Sequence, residues 1–121
     1  MPDNNKLKYL FVCFAGINRS LTAASVAKKM AAERGVRLEA DFFGIASLNR
    51  QSKTEVRNRC ESYDLIFVME DYIQEKLVRY YYVDPAKIHC FNIPDDYDVR
   101  RRIDRMLLEA TLEQELRDWI R

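Results

Sequence analysis

KYLFVCFAGINRSLTAASVAKKM, residues 8–30, decides the fold. Its opening run, Lys8 to Cys13, is apolar and rich in β-forming side chains, which predicts a buried strand. From Arg19 onward the period changes. Ala23, Val26, Ala27 and Met30 recur at i, i+3, i+4 and i+7, which predicts a helix over 19–34 with Gly35 as its C-terminal stop. Between strand and helix lies a short loop, Phe14 to Asn18, containing Gly16.

Downstream, the same alternation continues. RLEADFFGIA, Arg37 to Ala46, reads as a second strand with an irregular end at Gly44. Ser52 and Glu55 form a capping box that opens a helix to about Ser62. LIFVM, Leu65 to Met69, is apolar throughout, as expected of a strand covered on both faces. Asp71 to Gln74 offers a second capping box and a helix to about Tyr82. Asp84-Pro85 is a turn. Lys87 to Ile93 reads as a fourth strand ended by Pro94. Arg101 to Ile120 reads as a last helix, with Leu108, Leu112, Leu116 and Trp119 on its core face. Strands alternating with helices predict an α/β fold: a four-stranded parallel sheet, right-handed crossovers, and helices on both faces. Ligands bind such sheets beyond the carboxyl ends of the strands, and the first such end is Cys13.

Residues 13–20 are Cys-x5-Arg-Ser, and each part has a chemical use. Backbone N–H groups of the loop, Phe14, Ala15, Gly16, Ile17, Asn18, Arg19 and Ser20, can converge into an anion nest at a helix N-terminus. Gly16 admits a positive φ there at low cost. Arg19 can grip two phosphate oxygens as a bidentate fork. The same positive field favours the Cys13 thiolate, and Ser20 can donate a hydrogen bond to it. Taken alone, a cysteine at a strand end is most often a small buried hydrophobe. The spacing to Arg-Ser and the strand–loop–helix setting favour a phosphate loop with Cys13 as nucleophile.

The 121 residues fit a single domain, 1–121, with 48% hydrophobic and 32% charged residues. That composition is globular. The formal net charge of +1 gives no basic excess of the kind that marks a nucleic-acid binder. No run approaches a membrane span, and Met1 to Lys6 has no signal-like apolar core. Cys13, Cys60 and Cys90 form no close pair, which fits reduced thiols and a cytoplasmic location. One histidine, His89, and no Cys-x-x-Cys argue against a metal site, and no cofactor is implied. His89, Cys60 and Cys90 read as structural, Phe42 and Phe43 as core. One or more of Tyr80, Tyr81 and Tyr82 reads as exposed. Arg100 to Arg102 read as a solvated flank of the last helix.

With these pieces in place, the sequence resembles the low-molecular-weight protein tyrosine phosphatases, in a short branch carrying an Ile-Pro-Asp segment. The resemblance rests on Cys13 to Ser20 after the first strand, on SYDLIFVME (62–70), and on NIPDDYD (92–98). The family's loop commonly reads Cys-x-Gly-Asn-x-x-Arg-Ser, whereas Ala15 and Gly16 occupy the middle here. The family's Asp-Pro order is replaced by Pro94 followed by Asp95 and Asp96. The resemblance implies a cysteine-dependent phosphomonoester hydrolase acting on a phosphorylated protein or a small aryl phosphate. Asp95 is the first candidate for its general acid and Asp96 the second, and Tyr97 is placed to stack at the substrate rim. A non-catalytic phosphate- or phosphoprotein-binding module is the main alternative. Arsenate reductases and a serine phosphatase class share the loop and stand behind it.

Overall fold

A computed structural model describes residues 6–15 and 18–120, with the backbone alone at 49 and 50. Four parallel strands form one sheet: β1 (Leu7–Cys13), β2 (Leu38–Gly44), β3 (Leu65–Val68) and β4 (Ile88–Cys90), in the order β2-β1-β3-β4. Four α-helices connect or follow them: α1 (Arg19–Arg34), α2 (Lys53–Glu61), α3 (Asp71–Arg79) and α4 (Arg102–Leu116). The chain steps from β1 to one side for β2, then returns past β1 for β3 and β4. Right-handed crossovers therefore put α1 on one face and α2 and α3 on the other. α4 comes back to pack beside α1. The change of direction between β1 and β3 makes a crevice at their carboxyl ends, where open α/β sheets bind ligands.

The core explains why the central strands are apolar without alternation. Leu10, Phe11 and Val12 of β1 and Ile66, Phe67 and Val68 of β3 are all fully buried. Phe67 is the hub. It stacks on Phe11 and Phe91 at 5.2 and 5.0 Å and meets Tyr9, His89 and Trp119 edge-on. His89 is thus part of an aromatic cluster, as its strand position suggests. From α4, Leu108, Leu112 and Leu116 close the core, while Trp119 packs against it from a turn after the helix. Cys60 is buried, and burial pushes its thiol up to about 11.

Several boundaries differ from the sequence expectations, each for a local reason. β2 stops at Gly44, and 45–50 wind into a 3-10 turn that the Ser47 hydroxyl steadies by donating to the Gly44 carbonyl. α2 begins as expected, with Ser52 Oγ accepting the Glu55 N–H at 3.1 Å. In α3, however, the N-cap is Glu70, so Asp71 lies inside the first turn and caps nothing. That helix ends at Arg79 because Tyr82 takes φ 58°, which lets Val83 N–H reach the Leu77 carbonyl at 3.0 Å. β4 is three residues long, since Asn92 also turns left-handed at φ 55°. Phe43 is core while Phe42 is 38% exposed, as alternation across a strand requires. Of the three tyrosines, Tyr80 and Tyr82 are exposed and Tyr81 is buried. Gly35 caps α1 at φ 68°.

Candidate active site

Cys13 is the last residue of β1, and Arg19 and Ser20 open α1. β1 is held on both sides by β2 and β3, so the thiol's position is set by the most constrained strand in the sheet. Cys13 Sγ lies 3.0 Å from Ser20 Oγ, and both residues are buried. Phe14, next to Cys13, lies against the turn after β2, where Ala46 N–H donates to the Phe14 carbonyl at 2.9 Å. The Phe14 side chain is half exposed, and Ala15 is exposed too. Gly16 and Ile17 lie outside the described residues. Asn18 is the N-cap of α1: its carbonyl accepts Thr22 N–H at 3.0 Å, and its side chain makes no cap hydrogen bond.

Among the described residues, Arg19 is the largest fully enclosed side chain, only 2% exposed. A guanidinium so far from water needs anionic and carbonyl partners. Nη1 donates to the Glu70 carboxylate and, at 2.7 Å, to the Ile93 carbonyl. Nε lies 3.7 Å from Asp95 Oδ1. These partners come from two places: Glu70 from just past the end of β3, Ile93 and Asp95 from the segment after β4. The segment itself is tied to β3 by the Phe91 N–H to the Val68 carbonyl and the Ile93 N–H to the Met69 carbonyl, at 2.9 and 2.8 Å. Arg19 therefore knits the loop after β1 to the acidic segment.

Asp95 is 58% exposed, at the mouth of the site. Asp96 and Tyr97 continue from it. With Asn18, Val99 and Arg100, these residues line an open cleft of about 550 Å³ beside the loop. A second recess, about 420 Å³, is lined by Glu70, Asp71, Tyr72, Asn92 and Pro94. Tyr72 borders the Arg19 cluster: burial and the Glu70 charge push its hydroxyl up, and Arg19 is near enough to oppose that shift. Cys90 donates its S–H toward Asn92 Oδ1 at 3.4 Å, and burial pushes its thiol up.

Cys13, Arg19, Ser20 and Asp95 thus converge at the crevice, with Asp96 and Tyr97 along its flank. Two neighbours escape a reading of the string, Glu70 and Tyr72. The available signal was positional: Glu70 lies just past the carboxyl end of β3, one of the two strands that form the crevice.

No protein-family model matches the sequence, and neither does any curated protein. Solved structures do match over nearly the whole chain. A low-molecular-weight protein tyrosine phosphatase from Bacillus subtilis has a TM-score of 0.71 at 17% identity, covering 92% of this chain and 95% of its own. YfkJ, also from Bacillus subtilis, has 0.71 at 19%, covering 96% of both chains. Wzb from Vibrio vulnificus, solved with benzylphosphonate, has 0.68 at 21%, covering 94% of this chain and 97% of its own. On that likeness, the chain has the fold of the low-molecular-weight protein tyrosine phosphatases.

Proposed function

We propose that this chain is a cysteine-dependent phosphomonoester hydrolase with protein phosphotyrosine as its substrate class. The carrying observation is the Cys13 thiol beside the Ser20 hydroxyl at the foot of a loop closed by Arg19, with Asp95 at the mouth. In this reading the Cys13 thiolate attacks phosphorus, and the P–O bond to the leaving phenoxide breaks in line. Asp95 gives that oxygen its proton. Loop N–H groups and Arg19 hold the equatorial oxygens as charge builds on them. Water, deprotonated by the Asp95 carboxylate, then attacks the phosphocysteine, releasing phosphate and restoring the thiolate. The cleft along Asp96 and Tyr97 supports a ring-bearing substrate, with Tyr97 available for offset stacking.

A disulfide-relay chemistry is less well supported, because Cys60 is walled into the core and its thiol is held protonated. The scaffold also serves another phosphoryl linkage: one structural neighbour, YwlE, is described as an arginine phosphatase (TM-score 0.67, 15% identity).

The test is metal-free hydrolysis of para-nitrophenyl phosphate, a phosphotyrosine peptide and phosphoarginine by wild type, Cys13→Ser and Asp95→Asn. The expected result is turnover of the two aryl esters and none by Cys13→Ser. Asp95→Asn should lose about 10²–10⁴-fold in kcat on the poorer leaving group. A folded, reduced wild type that binds phosphate without turnover would replace the enzyme with a phosphate-binding module. Full activity in Asp95→Asn would pass the acid role to Asp96.

A further inference from the structure

α4 carries an apolar stripe that the fold does not use. Its core face is Leu108, Leu112 and Leu116. On the opposite side, Ile103, Met106 and Leu107 are 71%, 55% and 54% exposed, and Ala110 is exposed beside them. Their spacing, i, i+3, i+4 and i+7, is that of a continuous helical stripe. A helix apolar on two opposite faces, one of them in water, marks an interaction surface.

The charges along α4 say what covers it. Within α4, Arg102 and Arg105 outnumber Asp104 at the start, while Glu109, Glu113 and Glu115 have no cation among them before Arg117 at the C-cap. This polarity opposes the helix dipole, which favours anions at the N-terminus and cations at the C-terminus. Helix stability therefore does not account for it. Two copies of α4 laid antiparallel across the stripe would bring each basic end against the partner's acidic end. Arg102 and Glu113 lie about three turns apart, so they share one flank of the stripe. In an antiparallel pair, like flanks face each other, and Arg102 of each copy meets Glu113 of the other.

We infer that the exposed α4 face is a self-association surface, forming a two-fold antiparallel dimer of this chain. The inference is independent of the catalytic reading. α4, like α1, starts beyond the carboxyl ends of the strands, so the two candidate sites would sit at opposite ends of the helix pair and stay open. The stripe itself supplies only on the order of a few hundred Å². A stable interface needs roughly 800 Å² per partner, so the dimer is a weak one.

The experiment is sedimentation velocity of the full chain from low micromolar to several hundred micromolar, at low and high salt. Wild type should pass from monomer to dimer over that range and dissociate more readily at high salt. Leu107→Glu, which puts like charges near the two-fold axis, should stay monomeric with an unchanged melting temperature. Arg102→Glu and Glu113→Arg should each weaken the dimer about tenfold, and the double exchange should restore it. The Lys29–Glu113 contact that the second variant loses is exposed and 3.8 Å long, so the fold survives the change. A wild type that remains monomeric throughout overturns the proposal. So does a dimer that survives Leu107→Glu, or a double exchange that restores nothing.

Discussion

Two arginines meet carboxylates that line the same cleft, Asp95 and Asp98, in opposite settings. Arg19 is 2% exposed and reaches Glu70, Asp95 and a backbone carbonyl, all distant in sequence. Arg100 is 88% exposed and makes a bidentate pair with Asp98, two residues away, at 3.0 and 3.1 Å. By hydrogen-bond geometry alone, the exposed pair is the more regular. Energetically the order reverses. Water competes for every donor of Arg100, so its pair is worth little. Arg19 has been taken out of water, and any partner it loses leaves a desolvated charge. The buried arginine is therefore both a structural tie and the cation the proposed chemistry needs.

The largest effect expected from this contrast is catalytic. Arg19→Lys keeps the charge but loses the planar fork that serves phosphate and protein acceptors together. Turnover of para-nitrophenyl phosphate should fall by about 10²–10³-fold, the cost of losing one transition-state donor set. A lysine variant within threefold of wild type would show that the loop holds phosphate without the fork. Next comes Glu70→Gln, which keeps the shape and removes the charge facing Arg19. Glu70 is about a third exposed, so water repairs part of the loss. Chemical denaturation should then register about 1–3 kcal/mol of destabilisation. If stability is unchanged while KM falls, Glu70 competes with phosphate for Arg19 instead of anchoring it.

The same contrast explains what the string revealed. Cys13, Arg19 and the β1–α1 corner were legible because their signals are local: an apolar run, a change of period, and a fixed spacing. Gly35 and the Ser52 cap were legible for the same reason. Glu70 was not, because its meaning depends on β3 lying beside β1, and nothing within residues 62–74 announces a buried arginine. The end of α3 and the short β4 were missed because Tyr82 and Asn92 adopt left-handed backbone, which side-chain pattern does not encode. The exposed stripe of α4 was hidden by the stronger leucine stripe on the same helix. Most surface helices have one apolar face, and this one has two.

The smallest effect belongs to the exposed pair, and its pH dependence fixes the sign. Hydrogen bonds from the Arg100 side chain and backbone N–H hold the Asp98 carboxyl below its ordinary value. A carboxyl depressed in the folded state binds fewer protons there than in the unfolded chain. Its contribution to stability is present above the unfolded value of 3.8 and is lost as pH falls through the lower folded value. Arg100→Ala removes the side-chain part of that depression and leaves the backbone part. Both groups are solvated, so melting temperature at neutral pH should be unmoved, and the acid limb below about pH 4 should change only marginally. A clear loss at neutral pH would mean that the Asp98–Arg100 pair braces the segment carrying Asp95. The distinction between a solvated pair and a structural tie would then fail at the cleft where it was drawn.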